Sequence, residues 1–242
     1  GSGVMAGDSR PAWERSRERR LVLHDLRTRT LSALVMVAIA GGALWAGGPI
    51  WFGFVALIAL ATYVEFARMV LLGIRTLAGK AVLLVAGLGY IGLAADTLHV
   101  LHEQKNAFGE PTLAPLLALV VAVIGVDIGA YLAGRVIGGP KIAPSISPGK
   151  TWAGLGGAVV FATLIMAQFG KTDLMVIAMG PVIAVVAQCG DFFESWLKRR
   201  AGLKDSSRLI PGHGGVFDRV DGLIAVAFLF GLVRLARMSA GG

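Results

Sequence analysis

Charge is what this chain lacks most: 16% of its 242 residues are Asp, Glu, Lys or Arg, against about 25% in an ordinary soluble domain. With 55% hydrophobic residues and a mean hydropathy of +0.72, that scarcity excludes a water-soluble globule. Cysteine is nearly absent. The single Cys189 rules out an intrachain disulfide and reads as inert core, and no Cys/His set has zinc-ligand spacing. His99 and His102 lack ligand partners and take no metal role. No repeat, low-complexity tract or soluble domain interrupts the apolar runs. Arg10 to Arg29 is too charged for the apolar core of a signal peptide, and Gly1-Ser2-Gly3 reads as a cloning remnant. The net charge of +8 does not point to nucleic acid, because the basic residues border apolar runs instead of forming a basic domain with interleaved aromatics. Anionic lipid or a phosphorylated substrate is the expected partner.

What the chain has in abundance is apolar stretches of membrane-crossing length, given that a helix needs roughly 20 residues to cross about 30 Å of hydrocarbon. Seven spans are predicted, at about 30–46, 49–72, 80–96, 112–134, 152–170, 173–190 and 221–238. The fold expected is an all-α polytopic membrane protein with cytoplasmic catalytic loops. A break in the fourth span near Gly125 or Gly129 would raise the count to eight, and nine is the outer limit. Residues 1–29 read as a basic cytoplasmic segment and 30–242 as one membrane domain, with the catalytic half at about 112–242. With the N-terminus inside, nineteen of the 23 lysines and arginines fall on the cytoplasmic side and four outside, the asymmetry that insertion favours. The two long polar connections, 135–151 and 191–221, both fall inside.

The sixth span ends in AQCGDFFESWLKRR, where Asp191, Glu194, Ser195 and Lys198 recur at helical spacing and form one polar stripe. The plain alternative is an amphipathic helix end with snorkelling Lys198 and Arg199. Next, KDSSRLIPGHGGVFDRVDG places Asp218 and Asp221 three apart at the start of the seventh span, mixed with Lys204, Arg208 and Arg219. Carboxylates gathered at a membrane boundary beside cations suit a magnesium ion that neutralises phosphates. A salt-bridged solvated loop is the alternative. Against it stands Gly212-His213-Gly214-Gly215, whose amides could approach an anion closely.

The other connection, GRVIGGPKIAPSISPGKTWAG, offers Arg135, Lys141 and Lys150 with the hydroxyls of Ser145, Ser147 and Thr151. Pro148-Gly149-Lys150-Thr151 resembles part of a phosphate-binding Walker loop, but Pro144 stands where glycine is needed and no strand is expected before it. Lys150 still suits a phosphate at a helix start. Asp127 lies in an apolar run with Tyr131 and Arg135 on the same face, a functional candidate unless it merely pairs with Arg135 or with another helix. Glu65, three residues before Arg68, reads as a structural ion pair outside the site.

Ser195 to Asp221, SWLKRRAGLKDSSRLIPGHGGVFDRVD, resembles the signature of the phosphatidate cytidylyltransferase family. The matching positions are Ser195, Lys198-Arg199, Lys204-Asp205, Pro211, His213-Gly214-Gly215 and Asp218-Arg219-Val220-Asp221. The likeness extends to Gln188–Asp191, Ile146–Pro148, Lys150–Trp152 and Asp127–Tyr131, and departs at Gly149 and Ala153. It implies a magnesium-dependent reaction of CTP with phosphatidic acid giving CDP-diacylglycerol and pyrophosphate, in a bacterial inner-membrane homodimer whose site faces the cytoplasm. By motif, Asp191 and Asp218 are the implied metal ligands, with Asp221 third and a second cation allowed. Lys150, Lys198, Arg199, Lys204 and Arg219 would hold phosphates, with Ser147, Thr151, Ser195, Asp205, His213, Gly214, Gly215 and Asp127 completing the substrate site. His213 need not be a base, because a phosphate monoester with a second pKa near about 6 is already largely ionised. A CTP-dependent polyprenol or phytol kinase is the competing enzyme. An anion transporter is the non-enzymatic alternative, disfavoured because the polar residues gather at one face, not at midplane. A CDP-alcohol phosphatidyltransferase would need further spaced acids after Asp221-Gly222.

Overall fold

In the computed structural model, which describes residues 12–171 and 173–241 with side chains from Arg27 onward, seven long helices follow one another. They are α1 (Ala12–Ala46), α2 (Gly48–Gly73), α3 (Leu77–His102), α4 (Ala114–Val136), α5 (Trp152–Gly170), α6 (Leu174–Arg200) and α7 (Phe217–Ala240). Each contains a stretch long and apolar enough to cross a membrane. The fourth span is one unbroken helix, so seven stands and eight does not, among the described residues. The basic segment before residue 30 continues into the first span as a single helix, α1.

The termini of these helices are written locally. Thr76 caps α3 by accepting from Gly79 N, Thr151 caps α5 by accepting from Gly154 N, and Asp173 caps α6 by accepting from Met175 N and Val176 N. The first turn of α7 has no such cap from its own N-cap residue, Val216. Between α4 and α5 lies an element the sequence reading omitted, an antiparallel hairpin of β1 (Lys141–Ala143) and β2 (Ser147–Thr151). It delivers Lys150 directly ahead of α5.

The core has three parts. Ala122, Val126, Ala158, Ala162, Ile183, Ala184 and Val226 join α4, α5, α6 and α7. Phe66, Met69, Val70, Leu197, Phe217 and Ala227 join α2, α6 and α7, with α3 contributing Ile91 and Ala94. Ala43, Trp51, Val55 and Leu116 tie α1 and α2 to α4. Small residues let the backbones close in a medium that offers little hydrophobic drive between helices. At the α4–α5 crossing a Cβ on Gly129 would strike the carbonyl of Gly157, so neither position has room for a side chain.

The chain's two ends of the bundle differ. At one, the α4–α5 hairpin, the α6–α7 connection and the end of α2 converge, with Gly73 against Ala201. At the other, His102 reaches the carbonyl of Leu44, and Arg234 pairs with Asp96. Cys189 is exposed on the outer surface of α6, not buried in the core as its apolar neighbours suggested. An apolar neighbourhood marks a lipid-facing surface as readily as a core when the solvent is hydrocarbon.

Candidate active site

Helix α6 carries the expected stripe. Its apolar part, Leu174 to Gly190, leads into turns that carry Asp191, Glu194, Ser195 and Lys198 on one side. Ser195 Oγ donates to Asp191 Oδ1 at 3.3 Å. Lys198 Nζ lies 2.6 Å from Glu194 Oε2 and 2.8 Å from Asp218 Oδ1, joining α6 to the first turn of α7. From the hairpin, Lys150 Nζ reaches Asp191 Oδ2 at 2.5 Å and rests 4.5 Å from the ring centre of Phe192. Asp127, on α4, is within electrostatic reach of Asp191, Lys150 and Arg219. Residues from α4, β2, α6 and α7 thus meet at one end of the bundle.

The acids are not equivalent. Asp191, Glu194 and Asp221 each offer a carboxylate oxygen, and the three oxygens lie within 4.8 Å of one another. Glu194 is buried, and its Oε1 has no hydrogen-bond partner among the described residues. A buried, unpaired carboxylate oxygen beside two further carboxylates is costly without a cation, so the donor set fits a hard divalent ion such as magnesium. Asp218 stands differently from what the motif implies. Its Oδ1 takes Lys198, and its Oδ2 accepts from Ser206 N at 2.9 Å and Gly215 N at 2.8 Å and lies 2.9 Å from Ser206 Oγ, whose single proton it shares with Glu65. Its oxygens are occupied in organising the loop, and it is not grouped with the trio. Glu194, visible in the stripe but left out of the expected ligands, is the third member of the trio.

The glycine turn also differs from its expected use. Gly212 and Gly214 have φ of 75° and 81°, the left-handed region open to glycine. Yet Gly215 N points at Asp218, so the turn wraps a carboxylate of the protein itself. His213 Nδ1 lies 2.7 Å from Ser32 Oγ of α1, and the His213 carbonyl accepts from Arg219 Nε at 3.1 Å. Thr151 is buried with its hydroxyl committed to the cap of α5. Ser147 pairs with Ala143 in the hairpin, half-buried. Arg199, Lys204, Asp205 and Arg219 are exposed around the rim, where long cations can meet an incoming polyanion. Arg135 turns to Tyr131, donating to its hydroxyl at 2.5 Å.

Glu65 is the residue that sequence reading misplaced. It is 5% exposed and accepts four hydrogen bonds from the α6–α7 connection. No local pattern could have revealed partners 141 to 152 positions away.

The sequence matches the cytidylyltransferase family over residues 78–236. A phosphatidate cytidylyltransferase of Brucella melitensis is 37% identical to it, over 87% of this chain and 95% of the relative. One of Haemophilus influenzae is 30% identical over 85% and 97% of the two chains. One of Pseudomonas aeruginosa reaches 42% over 48% of this chain and 45% of its own. With a cation-ready carboxylate trio flanked by lysines at one end of a seven-helix bundle, the chain belongs to the cytidylyltransferase family, as a membrane-embedded nucleotidyltransferase.

Proposed function

We propose that the chain is a phosphatidate cytidylyltransferase: a phosphate oxygen of phosphatidic acid attacks the α-phosphorus of CTP, a new P–O–P bond forms, and pyrophosphate leaves. The observation that carries this reading is the placement of Asp191, Glu194 and Asp221 beside Lys150 and Lys198 at the level where the helices leave the apolar zone. There a lipid phosphate and a water-soluble nucleotide can meet. The positive-inside asymmetry supports a cytoplasmic site in a bacterial inner membrane. The family resemblance supports a homodimer.

The residues divide the work. Asp191, Glu194 and Asp221 would hold magnesium; when bound, the ion supplies neutralisation of phosphate charge. Lys150 and Lys198 leave their carboxylates partly for the nucleotide's phosphates and stabilise charge growing on pyrophosphate. Arg199, Lys204 and Arg219 guide the anions in. The test follows CTP labelled at the α-phosphate, incubated with phosphatidic acid and magnesium. Label should appear in lipid; label found there only from the γ-phosphate would establish a kinase instead.

His213 serves position in this scheme, because the nucleophile arrives ionised and the imidazole is held by Ser32. His213→Gln, which can still donate a hydrogen bond, should lower turnover by about tenfold or less and leave the shape of the pH–rate profile unchanged. Loss of a limb from that profile would make His213 the base.

A further inference from the structure

From Glu65 the structure assigns a positioning role outside the matched family segment: we infer that this α2 carboxylate is the external cap of α7, holding the loop and first turn that carry Asp218 and Asp221. The inference rests on the reading of the site given above. Glu65 lies thirteen residues before the segment 78–236, in the last third of α2 and 5% exposed, where a buried carboxylate is expensive unless every oxygen is engaged. Each of its oxygens is. Oε1 accepts from Ser207 Oγ at 2.6 Å and Val216 N at 3.0 Å. Oε2 accepts from Ser206 Oγ at 2.8 Å and Phe217 N at 2.8 Å. Val216 and Phe217 are the N-cap and first residues of α7, whose free N–H groups and dipole attract an anion. Here the anion comes from a different helix.

The device connects to the reacting end through Ser206, which is fully buried. Its Oγ touches Oε2 of Glu65 and Oδ2 of Asp218, and Asp218 in turn receives Lys198. Gly215 is required at the centre, since a Cβ there would strike both Ser206 Oγ and the Glu65 carboxylate. Displacing Glu65 therefore moves the loop that orients Asp218 and the helix that orients Asp221.

Glutamine is a sharp probe of this arrangement. Each carboxylate oxygen faces one hydroxyl and one backbone N–H, so whichever way the amide of Glu65→Gln is turned, its NH2 opposes a backbone donor that cannot rotate away. The full-length Glu65→Gln protein, purified in detergent, should remain folded by size-exclusion profile yet lose at least about tenfold in kcat per folded molecule. Its magnesium-activation curve should shift several-fold to higher concentration, and Glu65→Asp, which keeps the charge, should recover part of both. A structural role alone would lower the yield of folded protein and leave both readouts of the surviving molecules untouched; that result overturns the inference, as does a kcat within about twofold of wild type. If Glu65→Gln does not accumulate, Ser206→Ala and Ser207→Ala decide. Reduced kcat in folded Ser206→Ala, with a smaller loss in Ser207→Ala, supports the role, and wild-type kcat in both removes it. Wild-type turnover that needs no magnesium counts against the metal reading alone, and the kcat arm then decides for Glu65.

Discussion

Asp191→Asn should lower kcat by at least about a hundredfold, or about 2.7 kcal/mol of transition-state stabilisation, while the protein still folds. Asp191 is half-exposed at the end of α6. The asparagine keeps an oxygen for the Ser195 hydroxyl, so the helix loses little. What disappears is one charge from the trio with Glu194 and Asp221 and the partner of Lys150. The remaining turnover should need more magnesium than wild type. Asp218→Asn makes the informative contrast. Its amide would face Lys198 on one side or three loop donors on the other, so activity should fall together with melting temperature. The two variants are compared by magnesium titration and thermal unfolding in the same detergent. Near-native turnover of Asp191→Asn at limiting magnesium would remove Asp191 from the metal set.

Lys198→Met should be the most damaging change at the site. The ammonium sits between Glu194 and Asp218, whose side chains are 1% and 7% exposed. Methionine keeps the apolar stem and removes the ammonium that pairs with both. Breaking a buried pair by deleting one partner costs about 3 to 5 kcal/mol, because the other charge is left uncompensated. Turnover should become undetectable and thermal stability should drop. Adding Glu194→Gln to Lys198→Met removes one of the stranded charges, so the double variant should regain stability without regaining activity. A Lys198→Met protein that melts like wild type would show that the triad does not hold α6 to α7.

Much of this could be read from the chain itself. Hydrophobic runs of membrane length and the sidedness of lysine and arginine determined seven spans and brought both polar connections to one end, because those signals act on each segment separately. The stripe from Asp191 to Lys198 was equally legible, since helical spacing places its members on one side whatever surrounds them. The signature from Ser195 to Asp221 identified the chemistry.

Only the tertiary structure decided where the acids stand and which partners each one meets. Asp191 and Asp218 look alike in sequence, yet one faces Lys150 and the trio while the other is enclosed by Ser206, Gly215 and Lys198. Glu194 joins the trio because α7 brings Asp221 alongside it. Glu65 looked like a structural ion pair with Arg68 because nothing within a helical turn of it hints at Val216 and Phe217. A carboxylate's partners in a folded membrane protein are set by which helices pack together, and no local pattern carries that information.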